Sequence, residues 1–571
     1  MEVREKTHEA YFAEFRRQII GRQQVFVSPF GEKEMLYADW TASGRAYGPI
    51  ETRIQKEVLP FVGNTHTETT ITGTLMSRAY ETAREIVKRH VNAGGDEVLI
   101  FCGSGMTGAV NKLQRILGWR VPEQRMDAEE DAGLSDAAQV PGSQRCGWRG
   151  DGRMPADETS RPVVFVTHME HHSNQISWME TIATVEIIRA GEDGNVDLGH
   201  FRELLERYKH RKTRVAAVTA CSNVTGIRTP YREIARIIHG YGGLCFVDFA
   251  CSAPYVGIDM HPAGRGGYAE EAGDGPEEAR QHLEEAGAHL DAIYFSPHKF
   301  LGGPGTPGVL VFHKKLYGNR VPDQPGGGTV VYSNPWKEHE YVENIEQRED
   351  GGTPPFLGAI KAAMCIRLKE RMGVENMLRR EEELLRIIFD RFAGMDNVQV
   401  LEGGIKDRLG VVSFIITGAH YNMVVKLLND RYGIQTRGGC SCAGTYGHWL
   451  LGVDRPRSYE ILQAIRSGDL RCKPGWVRVS VHPTMTDAEI RFVMDAIEAV
   501  AANFGEWGKE YMYDPATNEY VFKGATASGR RRVEEWFSLF DCDVSPVIPV
   551  PGSPDRNTLY NSGNRWRSAP A

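Results

Sequence analysis

The chain has 571 residues and a formal net charge of -8, with a pI near 6.2. That length suffices for roughly two or three domains and a sizeable core. The acidic balance excludes an electrostatic case for nucleic acid or an anionic membrane as partner, and no apolar run approaches the roughly 18 residues of a membrane helix.

The opening stretch MEVREKTHEAYFAEFRRQII predicts an amphipathic helix with Tyr11, Phe12, Phe15 and Ile19 on one face, within an arm over 1–38. It carries acids throughout and has no apolar signal core, so a cytoplasmic protein is expected. From Glu97 to His313 short β-branched runs (VLIFC, VVFVTH, RVAAVTA, CFVDFA, AIYFS, GVLVFH) alternate with helical stretches such as GAVNKLQRILG, FRELLERYKH and YREIARIIHGYG. Such alternation predicts an α/β domain over 39–325 with an open, largely parallel sheet. Ligands then bind at the carboxyl ends of the strands. Residues 121–161 and 261–288 are rich in Gly, Glu, Asp and Ala and read as surface insertions, which shape the entrance, dock a partner or stay disordered. After about Gly352 a long helix, VVSFIITG, YNMVVKLLNDRYG, WVRVSVH and DAEIRFVMDAIEAVAANFG predict a smaller α/β domain over 326–505. Residues 506–571 form an extension of unassigned purpose. The ten cysteines are scattered, which fits buried thiols in a reducing compartment rather than a disulfide framework.

The stretch DAIYFSPHKFLGG places Lys299 where an apolar strand meets a Gly-rich turn. A lysine there either snorkels to water or is kept in a cleft to form a Schiff base. In GGLCFVDFACS, Asp248 is the only charge in an apolar strand. A buried carboxylate needs a partner such as a pyridinium; a half-exposed acid at a strand end needs none. FCGSGMTGAVNKL runs from strand through a Gly-rich turn into a helix, so backbone N–H groups around Gly105 and Met106 and the Thr107 hydroxyl form a cup for an anion. Ser296 and His298 add donors. VVFVTHMEHHSNQISW supplies His168, His171 and His172 as candidate ring-stacking planes. Their spacing lacks a metal-binding pair plus carboxylate, and no metal is expected.

These residues resemble the class V aminotransferase-like, fold-type I pyridoxal-phosphate enzymes, most closely the cysteine desulfurase and selenocysteine lyase branch. The resemblance covers roughly 35–500 without the insertions and rests on SPHK, EHHSN, SNVTG, VDFA and RGGCSCAG in the family's order. It implies Lys299 as the Schiff-base lysine and mover of the Cα proton, His171 as the stacking imidazole, Asp248 as the pyridinium partner and Asn223 as a contact of the ring hydroxyl and the substrate. It places Gly105, Met106, Thr107, Ser296 and His298 on the phosphate. Gly326 in PGGGT and Thr353 in GGTP are implied to reach the phosphate of a second subunit in a homodimer. Arg478 in WVRVS is implied to grip the substrate carboxylate, with Arg45 in ADWTASGR as a second anion contact. Cys442 falls on the nucleophilic cysteine, which takes sulfur from a cysteine-like substrate as a persulfide and hands it to an acceptor protein. A structural thiol in a turn is its plainer reading.

Two departures stand out. Cys251 occupies the cofactor-binding position where the family usually has Gln, and a thiol is a weaker donor. Cys440, two residues before Cys442, relays sulfur, forms a redox pair with it or does nothing. Fold and cofactor do not fix the reaction. C–S β-elimination, transamination on another amino acid, and a non-catalytic scaffold stand beside desulfuration.

Overall fold

A computed structural model describes residues 7–65, 67–120, 158–262, 287–524, 533 and 536–538. Most of the two expected insertions lies outside the described residues. The described residues up to Phe522 belong to one compact unit, and the few described residues beyond it do not.

Seven strands make the principal sheet: β1 (Glu97–Cys102), β2 (Val163–Thr167), β3 (Thr184–Ile188), β4 (Arg214–Thr219), β5 (Leu244–Asp248), β6 (Ala292–Phe295) and β7 (Gly308–His313). Their order is β1-β7-β6-β5-β4-β2-β3. Only β7 runs antiparallel to its neighbours. The sheet is covered on both faces, as parallel sheets are: in β1, Leu99 and Phe101 enter one buried cluster while Val98, Ile100 and Cys102 enter another. The six strands legible in the sequence are the continuous apolar ones. The seventh, β3, is an edge strand with half-exposed Thr184, Val185 and Glu186, so its apolar signal is diluted.

Helices α1 (Ile71–His90), α2 (Gly105–Ile116), α3 (His172–Met179), α4 (Leu198–Arg207) and α5 (Tyr231–Gly240) accompany this sheet. The expected long helix after Gly352 is two helices, α6 (Phe356–Met372) and α7 (Val374–Phe392). They break at Gly373, whose φ of +75° suits a residue without a Cβ. The amphipathic N-terminal helix is likewise two short pieces, His8–Tyr11 and Ala13–Arg16, with Phe12 and Phe15 buried.

A second sheet, all antiparallel, contains β8 (Val398–Val400), β9 (Val411–Ile416), β10 (Arg437–Gly439) and β11 (Trp476–Ser480) in the order β8-β9-β11-β10. Helices α8 (Tyr421–Tyr432) and α9 (Asp487–Trp507) belong to this region. A hairpin of Tyr511–Asp514 and Glu519–Phe522 packs on α8, with the Tyr511 hydroxyl donating to Asp430 at 3.0 Å. No helix among the described residues is long and apolar enough to cross a membrane.

Candidate active site

The carboxyl ends of β1, β2, β4, β5 and β6 converge on one cleft of about 210 Å3. Lys299, Asp248, His171, Asn223, Cys251, Met106, Thr107, Ser296, His298, Arg478 and Cys442 all line it.

Lys299 ends a 3-10 turn, Pro297–Lys299, directly after β6. The turn is held tightly. Gly44 N–H donates to the His298 carbonyl at 2.9 Å, and a Cβ on Gly44 would stand 1.9 Å from the Phe300 carbonyl. Burial lowers the Lys299 ammonium from its ordinary value, and Arg478 adds to this; Cys251 and Asp248 pull the other way. Its amine is therefore more available as a base or nucleophile than a surface lysine's.

Asp248 closes β5, 3% exposed. Its carboxylate accepts from Ala250 N–H at 2.7 Å, and burial pushes the carboxyl up to about 6. His171 caps α3, its Nδ1 accepting from Ser173 N–H at 3.1 Å, which leaves the ring hydrogen on Nε2. Burial, with Lys299 nearby, lowers His171 to about 3, so the ring is a neutral plane. The loop before it is anchored by buried Glu170. Its carboxyl accepts from Thr167 N–H, Thr167 Oγ1, Thr219 N–H and Asn174 Nδ2 at 2.7–3.2 Å. Glu170 thereby ties the ends of β2 and β4 to α3.

At the other end of the cleft, Gly105 opens α2 with φ +58°. A Cβ there would lie 2.6 Å from the His298 ring and 2.9 Å from Ser296 Oγ, so only glycine admits the turn. Ser296 Oγ accepts from Met106 N–H at 2.8 Å, and the exposed Thr107 hydroxyl pairs with Ser173 at 2.7 Å. The N–H groups of Gly105 and Met106 are already taken, by the Gly103 carbonyl at 2.8 Å and by Ser296, so the anion cup rests on the Thr107 N–H in the first turn of α2 and on these hydroxyls.

Arg478, buried in the middle of β11, donates to Asp39 Oδ1 at 2.6 Å and to the Asn223 carbonyl at 3.0 Å. Its Nε has no partner. Asn223 donates to the Ser441 carbonyl at 2.7 Å, and its buried Oδ1 is unpaired. A ligand with a ring hydroxyl and a carboxylate supplies what these orphaned atoms lack. Acid, lysine, neutral ring and anion cup together fit pyridoxal phosphate: Asp248 would hold its ring nitrogen, Lys299 its aldehyde, and Gly105 to Thr107 its phosphate.

Cys442 and Ser441 both adopt the left-handed region, φ +57° and +51°. The loop is braced by His172, whose N–H donates to the Cys442 carbonyl at 2.7 Å while its Nε2 accepts from Gly444 N–H at 2.9 Å. Cys440 is half-buried and is not among the residues lining the cleft.

Arg45 is placed elsewhere than the sequence suggested. It lines a separate cavity, with its guanidinium 4.9 Å over the Tyr37 ring and donating to the Ile20 carbonyl at 3.3 Å. The Arg45 carbonyl accepts from Gly302 N–H at 2.7 Å, which fixes its backbone against the turn after Lys299 while the side chain runs to Tyr37 and Ile20. Gly326 and Thr353 are exposed and lie outside their own chain's cleft. Sequence reasoning missed Asp39 and Arg437. Both stood inside quoted motifs, and Asp39 was an isolated acid between apolar Ala38 and Trp40.

The family model for class-V aminotransferases matches residues 158–265 and 280–493. A probable cysteine desulfurase of Halalkalibacterium halodurans is 28% identical over 425 residues, covering 73% of this chain and 86% of the relative. One of Staphylococcus epidermidis is 26% identical over 427 residues, covering 73% and 85%. Among solved structures, the apo cysteine desulfurase of Thermococcus onnurineus NA1 shares the fold with a TM-score of 0.61 at 21% identity, over 86% of this chain and 98% of that one. The Escherichia coli cysteine desulfurase CsdA, as its S-sulfonic acid, gives 0.60 at 19%, over 86% and 98%.

Proposed function

Because the chain belongs to the class-V aminotransferase family, we propose that it is a pyridoxal-phosphate-dependent cysteine desulfurase that converts cysteine, or selenocysteine, to alanine through a persulfide on Cys442. The observation that carries this reading is one cleft lined by Lys299, Asp248, His171, Arg478 and Cys442 together. The similarity to proteins named probable cysteine desulfurases supports it.

Pyridoxal phosphate, when bound, supplies an electron sink for charge developing at the substrate Cα. Lys299 would hold the cofactor aldehyde, and its free amine would move the substrate Cα proton, a task for which its lowered basicity suits it. The Asp248 carboxylate would keep a proton at the ring nitrogen. His171 presents a neutral face to the ring, and Asn223 its amide oxygen to the ring hydroxyl. Arg478, held rigid by Asp39 and the Asn223 carbonyl, grips the substrate carboxylate in a fixed orientation. The Cys442 thiolate attacks the substrate sulfur. A sulfur–sulfur bond forms, the carbon–sulfur bond breaks toward carbon, and a proton delivered there completes alanine.

Gly326 and Thr353, exposed and away from their own cleft, complete the phosphate site of a second subunit in a homodimer. The persulfide passes to an acceptor protein in the cytoplasm, where free thiols persist.

The test is alanine release from L-cysteine with a reductant present. Wild type is expected to form alanine, and Cys442→Ala to lose that activity by at least about 100-fold. Full activity in the variant, or pyruvate and ammonia as products, overturns the persulfide route in favour of β-elimination.

A further inference from the structure

Cys221 has no role in the reading above, and Cys251 enters only as a weak donor. Cys221 follows β4 and Cys251 follows β5, parallel neighbours whose last residues, Thr219 and Asp248, are register partners. Both sulfurs lie 3.6 Å from one oxygen, the Ser222 carbonyl, and the Cys221 thiol also reaches the Gly226 carbonyl at 3.2 Å. Their residues are only 1% and 5% exposed, yet both line the cleft. The other buried thiols behave differently. Burial pushes Cys102 and Cys365 up to about 12. Cys251 instead is lowered, first by the Cys221 hydrogen bond and then by Lys299, despite its burial; Cys221 is raised. Two sulfurs that converge on one carbonyl oxygen and line the same cleft as Lys299 are the arrangement of a reactive pair rather than of core packing.

We propose that Cys221 and Cys251 form an oxidative modification site that a hydroperoxide entering the cleft converts to a disulfide, disabling the cofactor pocket. The Cys251 thiolate attacks a peroxide oxygen. The O–O bond breaks, the sulfur becomes a sulfenic acid, and the other oxygen leaves with a proton as alcohol or water. The Cys221 sulfur then attacks the Cys251 sulfur, the S–S bond forms, and the sulfenic hydroxyl leaves as water with the Cys221 proton. Two thiols and one hydroperoxide thus give one disulfide, one alcohol or water, and one further water. The bond withdraws the Cys251 sulfur from Lys299 and clamps together the strand ends that carry Asn223 and Asp248.

Disulfide formation does not depend on the proposed reaction; only its effect on turnover does. The full-length holoenzyme is treated with near-stoichiometric hydrogen peroxide, unfolded, alkylated with iodoacetamide and mapped by mass spectrometry without reduction. A peptide pair cross-linked between Cys221 and Cys251 is expected. It should disappear with dithiothreitol, and a change in the cofactor's visible absorption should appear and reverse with it. In Cys221→Ser the cross-link is expected to vanish and Cys251 to accumulate sulfinic acid. The proposal is overturned if both thiols remain fully alkylated at doses that oxidise Cys442, or if wild-type Cys251 reaches sulfinic acid without cross-linking. Should Cys221→Ser fail to fold, the wild-type map alone decides.

Discussion

Asp248 faces the cleft with one backbone donor, and burial already weakens its hold on charge. A pyridinium would reverse that balance by giving the carboxylate a cation at contact distance. Asp248→Asn keeps the size of the side chain but cannot hold a proton at the ring nitrogen. We expect alanine formation to fall on the order of 100-fold or more while the protein stays yellow, because the covalent link through Lys299 survives. Turnover measured beside the absorption spectrum after gel filtration checks this; unchanged turnover removes Asp248 from its assigned role. Asp248 was legible in the sequence because a lone charge in an apolar strand is costly without a reason. Arg45 was not, because adjacency to a motif says nothing of which way a side chain leaves a backbone pressed against its neighbour. Asp39 shows the converse: its role becomes visible only when β11 brings Arg478 to it from the far end of the chain.

On α7, Glu381 is 2% exposed with both carboxyl oxygens unpaired, and burial pushes it up to about 8. The folded state therefore keeps this proton up to about pH 8, whereas the unfolded chain releases it above about 4.5. Between those values the folded state binds more protons, so stability falls as pH rises, by about 1.4 kcal/mol per pH unit from this group. Glu381→Gln removes that slope. Urea unfolding at pH 5, 6.5 and 8 is expected to show the variant gaining on wild type at each step, and parallel curves would refute it. Elements as a whole were read from periodicity. The continuous apolar runs of β1, β2 and β4 to β7 announced a buried parallel sheet, and the strand–turn–helix of FCGSGMTG announced the anion cup. What periodicity hid was punctuation: Gly373 splits a helix without interrupting its apolar repeat, and β3 lies at an edge where the pattern is half polar. The anchoring of the His171 loop by Glu170 was equally hidden, since its four hydrogen-bond donors come from three separate elements.

For the whole molecule, the exposed Gly326 and Thr353 lead to a definite mass. Light scattering on the purified protein is expected to give twice the 63.8 kDa of the chain, and a stable, fully active monomer would rule out shared sites. An apolar groove between α1 and α6, lined by Ile50, Ala79, Ala83, Ile360 and Met364, is available to such an interface. The antiparallel strand β7 has a consequence of a different kind. It pairs Gly308 with Cys102 and Val309 with Phe295, so within the sheet it is the strand that joins β1 to β6. During synthesis the ribosome must release β7 before β1 and β6 can become part of one sheet. Until then β1 has no strand beside it in the sheet. Contacts this distant in sequence make folding slow and leave sticky strand edges open meanwhile, so the nascent chain is most vulnerable to aggregation between the emergence of β1 and that of β7.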